Sequence, residues 1–346
     1  MDDILLINND QLIISNIIIS FFSVIVSIIT ILLYSTTKSL QTFHLSMMFG
    51  IAISEVVNGI GHIMSFIFIG ATQENIKDVD IGFPCNLQRF LLIFPDLSTM
   101  LFLVFLSYGI YDLIINNSKE LENKIKLFVL LGVLIPLGIT IVISIILYCM
   151  NQESFDIKDG YKVMMLKRQC WTERSSTISI ILYVVYFVLN GIVLFFIIKV
   201  ILFMKKEMSN SPKMIGIKNK LYDYPIVGSL CFVFVVFYRA HEICFPGAIF
   251  IQRHELALRL YCLLVRLHGT FLSLRGVLLF IIFISEKKVI LRVREIIEKV
   301  FNTNLENISF LQIGKREDLD DNFEITEEKN EEEDYNDLQL EETTLK

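Results

Sequence analysis

Histidine, proline and tryptophan are scarce in this chain of 346 residues, which contains 5 His, 6 Pro and 1 Trp. No two histidines lie at helical spacing, so the chain lacks the clustered ligands that a membrane-embedded zinc hydrolase needs. The last long apolar stretch, residues 258–285, contains no lysine, which excludes a protein that binds retinal as a Schiff base. We therefore expect no enzymatic activity and no cofactor.

Seven long apolar stretches make up most of the chain. They cover residues 11–34, 41–70, 84–115, 127–150, 176–204, 221–243 and 258–285. The first contains no charged residue, and a helix of about 20 apolar residues is long enough to cross the hydrocarbon core of a bilayer. A hydrophobic share of 54% and a mean hydropathy of +0.59 are also too high for a soluble domain. The sequence predicts an all-α membrane protein, a bundle of seven transmembrane helices.

The distribution of Lys and Arg predicts how these helices are oriented, because both residues favour the cytoplasmic loops of membrane proteins. With the N-terminus outside, fourteen of them fall on the cytoplasmic side of the bundle and seven on the opposite side. We therefore expect a short extracellular N-terminus, residues 1–10, a transmembrane bundle over residues 11–285, and a cytoplasmic C-terminus. The expected location is the plasma membrane, as a multi-pass protein surrounded by lipid.

Two further segments follow the bundle. Apolar residues recur at three- and four-residue intervals in residues 286–301, with Lys and Arg between them, which predicts an amphipathic helix on the inner leaflet. A last helix that simply continues into solvent is the alternative. Residues 302–346 are predicted to be a disordered acidic cytoplasmic tail, since residues 317–346 contain fourteen Asp or Glu and only two Lys.

Two of the six cysteines fall outside the predicted bilayer on its extracellular side. Cys85 lies at the outer end of the third span, and Cys170 lies in the longest outer loop. Both would face an oxidising compartment, so a disulfide between them is chemically permitted. Cysteine spacing does not determine connectivity, and Cys149, Cys244 or Cys262 could also reach the outer face.

Three separated segments resemble one group of membrane receptors. The third span begins with Cys85-Asn86-Leu87-Gln88-Arg89-Phe90, the outer loop contains Cys170-Trp171, and the seventh span contains Phe271-Leu272-Ser273-Leu274-Arg275-Gly276-Val277. These segments resemble the third helix, the Cys-Trp loop element and the last helix of the slime-mould cyclic AMP receptor-like family and its secretin and adhesion relatives. The resemblance implies a G-protein-coupled receptor with a disulfide between Cys85 and Cys170.

The sequence departs from this group at four positions. Leu272, Arg275, Phe102 and Arg89 stand where those relatives carry Asn, Gln, Trp and Gly, respectively. Polar contacts that the relatives make through Asn and Gln are therefore not expected here. The rhodopsin-like class fits less well, because the third span ends at Asp112 without an Asp-Arg-Tyr sequence and the seventh span contains no Pro.

The resemblance implies that a small-molecule ligand enters the outer half of the bundle and that a heterotrimeric G protein engages the inner loops. The residues expected to face the G protein are Asp112, Lys205, Lys206, Lys218 and Lys220. A basic inner loop of this kind also suits an acidic or membrane-held partner. The same lysines would satisfy the positive-inside rule without any partner, and no nucleic-acid partner is expected.

Ionisable residues inside the spans are expected to carry the mechanism, because each costs at least about 2.5 to 3.5 kcal/mol to place in hydrocarbon. Depth along the spans places Asp96 level with Arg266, and Glu55 within a turn or two of Arg275, with His268 between the two arginines. We predict that one or both of these pairs are interhelical ion pairs that differ between resting and active states. Glu55, His268 and Arg275 form the predicted intramembrane switch, and a static structural pair is the alternative.

The outer half of the bundle is predicted to bind the ligand. Its candidate ligand-binding residues are Arg89, Asp96, Trp171, Arg239, Glu242 and Arg266. The arginines would give an anion such as a cyclic nucleotide charge-assisted hydrogen bonds, although the acidic residues could neutralise much of their charge. A transporter of a small anionic solute is the alternative function, because the same basic residues could line an anion path.

Overall fold

The computed structural model describes residues 2–64, 82–116, 120–149, 177–207, 224–234, 236–237 and 255–301. These ranges are helical almost throughout and contain no β-strand, so the predicted all-α class is confirmed for them. The chain divides into two structural units, Met1–Phe283 and Ile284–Lys346. The predicted tail, residues 302–346, lies outside the described residues.

Eight α-helices account for most of the described residues. They are α1 (Asp2–Thr36), α2 (Phe43–Ile63), α3 (Gly82–Ile115), α4 (Ile125–Cys149), α5 (Thr177–Glu207), α6 (Tyr224–Phe234), α7 (Glu255–Ser285) and α8 (Lys287–Phe301). Short 3-10 helices at Lys38–Leu40 and Glu120–Lys124 precede α2 and α4. The predicted helix after the last span is therefore present as α8.

Six of these helices are long and apolar enough to cross a membrane. The candidate spans are Ile14–Thr36, Phe43–Ile63, Asn86–Ile115, Ile125–Ile146, Ile180–Phe203 and Leu267–Ser285. The predicted sixth span is described over an apolar helix of Tyr224–Phe234, which is too short to cross by itself. By length and composition, the chain is a multi-pass membrane protein.

The first helix is longer than the predicted first span. α1 begins at Asp2, whereas the apolar stretch begins at residue 11. Residues 2–36 contain no Gly or Pro, the two residues that most disfavour a helix interior, so nothing in the sequence stops the helix between them. The predicted N-terminal segment, residues 1–10, is thus helical from Asp2 onward.

α3 occupies the centre of the first unit, where it packs against α2, α4 and α5, and α2 also packs against α1. Its buried side chains include Leu97, Met100, Phe102, Leu103 and Leu106. By contrast, α1, α4 and α5 leave many large apolar side chains exposed on their outer faces. Broad apolar surfaces of this kind are unsuited to water and suited to lipid.

Glycines allow α2, α3 and α4 to approach one another closely. The ring of Phe102 on α3 fills the space beside Gly50 of α2 and Gly132 of α4, where a Cβ atom would collide with it. The backbone of Gly132 also accepts a hydrogen bond of 2.8 Å from Oγ of Ser98, which in turn accepts one of 3.0 Å from Ser54. Small residues and interhelical hydrogen bonds of this type are the usual means of helix association in membranes.

The inward face of α1 is polar. Asn16, Ser20, Ser23, Ser27 and Thr30 recur at intervals of three and four residues, and all five are buried. The apolar residues between them face outward, because residues spaced in this way share one side of a helix. The polar stripe, as we call these five residues, therefore faces the interior of the bundle rather than lipid.

The second unit contains α8, in which apolar residues recur at three- and four-residue intervals with charged residues between them, as predicted. Arg292 Nη1 donates a hydrogen bond of 2.7 Å to Oε2 of Glu295, three residues later on the same helix. The Arg292 side chain is partly exposed, at 27%, and the Glu295 side chain is exposed, at 57%. The contact of α8 with the inner leaflet stays a prediction.

Candidate functional site

Arg275 lies fully buried in α7, where its guanidinium group pairs with carboxylates from two other helices. Nε donates a hydrogen bond of 2.5 Å to Oε1 of Glu55 on α2, and Nη2 donates one of 2.9 Å to Oδ1 of Asp96 on α3. We call these three residues the ionic triad. Charge-assisted hydrogen bonds of this kind are about twice as strong as neutral ones. The triad therefore ties α2, α3 and α7 together inside the bundle.

A fourth helix touches the same guanidinium group. Cζ of Arg275 lies 4.7 Å from the ring centroid of Phe232 on α6, within the range of a cation–π interaction. Phe232 also stacks on Tyr186 of α5, with the two ring centroids 6.2 Å apart. Arg275 is thus the place where α2, α3, α6 and α7 meet.

The triad is supported by a hydroxyl group of α3. Oγ1 of Thr99 donates a hydrogen bond of 3.3 Å to Oε1 of Glu55. Thr99 lies three residues after Asp96, on the same side of α3, so this helix presents both a carboxylate and a donor to its neighbours. All of these groups stand on helices rather than on loops, so helix packing determines the geometry of the triad.

The charges of the triad do not balance. When all three side chains are ionised, two carboxylates face one guanidinium, and Nη1 of this buried guanidinium has no hydrogen-bond partner among the described residues. Moving charges out of water costs several kcal/mol per ion, and a buried ion pair often fails to recover that cost. The triad is therefore expected to contribute little net stability and to favour one arrangement of the helices over others.

A small cavity lies beside Glu55, with space for about one water molecule. Its polar lining consists of Glu55 and of Ser27 and Thr30 from the polar stripe. The remaining lining residues are Met48, Ile51, Ala52, Gly276, Leu279, Phe280 and Phe283. The hydroxyl of Thr30 donates a hydrogen bond of 3.0 Å to the carbonyl oxygen of Val26. The polar stripe thus reaches the edge of the triad.

α7 approaches α1 closely at Gly276. A Cβ atom at Gly276 would overlap Oγ of Ser23, so we expect Gly276→Ala to destabilise the bundle by about 1 to 3 kcal/mol through overpacking. Ser23→Ala removes that hydroxyl and should recover part of the loss in the double variant. Thermal unfolding of the purified protein in detergent measures both effects.

The matched control for this prediction is Gly191→Ala in α5, because no atom of the described residues lies within 4 Å of a Cβ there. We expect Gly191→Ala to leave the melting temperature unchanged or slightly higher, since Ala is the better helix former. Equal melting temperatures for the Gly276 and Gly191 variants would contradict the close approach of α1 and α7.

The structure brings together some of the predicted charged residues in a different combination. Glu55 and Arg275 form an ion pair, as depth along the spans predicts. Depth placed Asp96 level with Arg266, whose side chain lies outside the described residues, and the structure shows that Asp96 also pairs with Arg275. Long Arg side chains reach across more than one level of the bundle, so equal depth does not select the partner. His268 lies two turns before Arg275 on α7 and is half-buried.

Other predicted site residues lie further from the triad. Arg89 is buried in α3, two turns before Asp96. Asp112 is also buried, near the end of α3, and its Oδ1 accepts a hydrogen bond of 2.7 Å from Nδ2 of Asn116. Lys205 and Lys206 are exposed in the last turn of α5, as a partner-facing role requires.

The remaining predicted site residues lie wholly or partly outside the described residues. Cys170, Trp171, Lys218, Lys220, Arg239 and Glu242 lie outside the described residues, and so do the side chains of Cys85 and Arg266. The predicted disulfide and most of the predicted ligand site therefore stay predictions. Cys231 on α6 is buried as a free thiol.

Sequence reasoning missed the aromatic and hydroxyl neighbours of the triad. Phe232 is one of 28 phenylalanines in the chain, so nothing local distinguishes it as the residue that covers Arg275. The polar stripe could have been found, because polar residues at intervals of three and four interrupt an otherwise apolar first span. Its spacing predicts that α1 turns this side toward the bundle interior.

Comparison with known proteins leaves this description unchanged. No protein-family model matches the chain, and no curated protein matches it either. The resemblance of the third span, the outer loop and the seventh span to cyclic AMP receptor-like proteins thus stays a prediction.

Proposed function

We propose that this chain is a seven-span receptor that binds a small extracellular ligand and activates a heterotrimeric G protein. Six candidate membrane-spanning helices support this proposal, together with the apolar helix α6 at the position of the predicted sixth span. The surplus of Lys and Arg on one side supports an extracellular N-terminus and a cytoplasmic C-terminus. The plasma membrane is the proposed location.

The observation that carries the proposal is that Arg275 contacts both the carboxylates of the ionic triad and the ring of Phe232. A receptor of this type needs an element with two arrangements, whose equilibrium is biased both by a ligand on one side and by a partner on the other. The triad holds α2, α3 and α7 through charged hydrogen bonds, whereas the described contact of α6 with the guanidinium of Arg275 is the ring face of Phe232. The weakest of these contacts is thus the one to α6.

α6 also directly follows the basic inner loop in the sequence. Lys213, Lys218 and Lys220 precede Tyr224, where α6 begins, and Lys205 and Lys206 are exposed at the end of α5. A displacement of α6 away from Arg275 would therefore change the loop that a G protein is expected to engage. We propose that the contact of Arg275 with Phe232 belongs to the resting state.

Loss of this contact should activate the receptor without ligand. Leucine at position 232 keeps an apolar side chain but removes the ring face, and a cation–π contact contributes about 0.5 to 2 kcal/mol. We expect Phe232→Leu to raise basal nucleotide exchange roughly two- to thirtyfold, because a resting state destabilised by that amount loses population in this ratio. The measurement is nucleotide exchange on a panel of purified heterotrimeric G proteins, with the receptor in membranes.

Phe195→Leu provides the matched control, because Lys199 lies over the Phe195 ring at 5.6 Å on the outer face of α5, where Phe195 is 54% exposed. This variant removes a cation–π contact outside the bundle interior and should leave basal exchange unchanged. Equal basal exchange for wild type and Phe232→Leu, at equal amounts of receptor, would reject the proposed role of Phe232.

The ligand is proposed to be small and anionic, because the outer half of the bundle is rich in arginine. Cyclic AMP and inorganic phosphate are therefore the first probes in the same exchange assay. Uptake of either anion into vesicles that contain the protein, without any nucleotide exchange, would favour the transporter instead.

A further inference from the structure

Among the side chains that the structure describes, the ionic triad is one positive charge short of neutrality. Glu55 and Asp96 each accept a hydrogen bond from Arg275, and both carboxylates are buried. With all three groups ionised, the triad would hold a net charge of −1 at a depth where hydrocarbon surrounds the bundle. Because an uncompensated charge is unfavourable in such surroundings, the triad requires either a bound cation or a bound proton.

The helices packed against the triad contribute several further groups that are polar or titratable. Thr99 on α3 donates to Glu55, Cys231 on α6 adjoins the aromatic ring over Arg275, and Ser27 and Thr30 of α1 face the cavity beside Glu55. His62 on α2 and His268 on α7 are each two helical turns along the chain, roughly 10 Å in axial rise, from Glu55 and Arg275 respectively. Neither histidine is at the level of the carboxylates along its own helix.

The cavity beside Glu55 does not suit a metal cation. Hard cations such as Mg²⁺ and Ca²⁺ take six or more oxygen ligands, some of them water. This cavity offers the carboxylate of Glu55 and two hydroxyl groups, the rest of its lining is apolar or glycine, and it has space for about one water molecule. Within the described ranges, no group of three or more His, Cys, Asp and Glu side chains is placed to hold a metal ion.

We propose that Glu55 and Asp96 together bind one proton, which makes the ionic triad neutral. The proton forms an O–H bond with a carboxylate oxygen of the pair and is taken from water, so one carboxylate becomes a carboxylic acid and no other bond breaks. A proton needs no shell of ligands, and the two carboxylates can share it because both face the same guanidinium. The hydroxyls of Ser27 and Thr30 lie on the side of Glu55 from which a water molecule can deliver it.

This proton-binding site has a consequence for the proposed receptor, although it does not depend on that function. Release of the proton leaves a charge of −1 in the triad, which favours arrangements of the helices that admit water. Proton release would then accompany any opening of the bundle around Arg275. Because the proton is exchanged with water, this opening would also depend on the pH of the surroundings.

Infrared spectroscopy of the purified protein in lipid nanodiscs tests the proposal, because the C=O stretch of a carboxylic acid is distinct from that of a carboxylate. At neutral pH we expect the wild-type protein to show a carboxylic acid band that shifts in D₂O. Glu55→Gln and Asp96→Asn should each abolish that band, since a single remaining carboxylate balances Arg275 without a proton. Glu295→Gln on α8 alters an exposed carboxylate and should leave the band unchanged.

Three results would overturn the proposal. The first is a wild-type spectrum at neutral pH without any carboxylic acid band, which needs no variant to fold. The second is a band that persists in folded Glu55→Gln and Asp96→Asn but disappears in His62→Gln. The third is a melting temperature of the wild type that rises with Na⁺ but not with choline and loses this dependence in Glu55→Gln, because a cation would then fill the place of the proton. None of these results bears on G-protein exchange, so the proton site and the receptor function can fail separately.

Discussion

Replacement of Arg275 by glutamine is expected to destabilise the folded bundle by about 3 to 5 kcal/mol, because it leaves Glu55 and Asp96 buried without the cation that both contact. The free energy of unfolding, measured by titration with denaturing detergent in mixed micelles, should therefore fall sharply. Cell-surface expression should fall as well, since a loss of this size is a large part of the total stability of a typical domain.

The charge-free triad separates the loss of a cation from the loss of the Arg275 side chain. We expect Glu55→Gln, Asp96→Asn and Arg275→Gln combined to recover most of the stability that Arg275→Gln loses, because no buried charge then remains uncompensated. Signalling by this triple variant should be impaired if the triad acts as a switch. It should be intact if the triad is a static structural group.

The matched control for Arg275 is Arg292→Gln on α8, which removes an arginine from an exposed ion pair. Exposed pairs contribute about 0 to 1 kcal/mol, so this variant should unfold almost like the wild type. If Arg275→Gln matched the wild type both in stability and in signalling, the intramembrane switch would be wrong for that residue.

The second large effect is expected at the contact of Phe102 with the glycines beside it. A Cβ atom at Gly132 of α4 would collide with the Phe102 ring, which is already fully buried against Gly50. We therefore expect Gly132→Ala to lower the free energy of unfolding by about 1 to 3 kcal/mol, as overpacking of a tight core does. Unfolding in mixed micelles measures this change.

Gly138→Ala in the same helix is the matched control, because a Cβ at Gly138 meets no atom within 4 Å. This substitution should be neutral or stabilise the helix by up to about 1 kcal/mol. Phe102→Leu combined with Gly132→Ala should recover part of the loss by making room beside the new methyl group. Similar destabilisation by Ala at positions 132 and 138 would show that helix propensity, rather than the Phe102 ring, causes the effect.

Depth along the chain predicted the ion pair of Glu55 with Arg275 but not the contact of Asp96 with the same guanidinium. Glu55 and Arg275 pair as expected, because an arginine side chain can reach an acidic residue one turn away on a neighbouring helix. The same argument placed Asp96 with Arg266, but it ignores the rotation of each helix about its axis. That rotation turns Asp96 toward the guanidinium that Glu55 already contacts.

The packing around Phe102 also could not be predicted from the sequence. The sequence shows a phenylalanine where the receptors that it resembles are expected to carry tryptophan, but it does not show what surrounds that ring. Its neighbours are glycines 52 residues before it and 30 residues after it in the chain. Contacts so distant in sequence leave no periodic pattern, so no local signal identifies them.

The sequence by itself determined the helical class, the candidate membrane spans and the presence of α8, because apolar length and helical periodicity are properties of neighbouring residues. It also determined which charges had to lie inside the bundle, since their spans are too apolar to be removed from the membrane. Only the tertiary structure decided that Glu55 and Asp96 share Arg275 and that Phe232 covers it. Those contacts depend on the distance between helices, which small residues such as glycine and serine reduce, and on the rotation of each helix about its axis. Both are determined by the packing of helices that are distant in sequence.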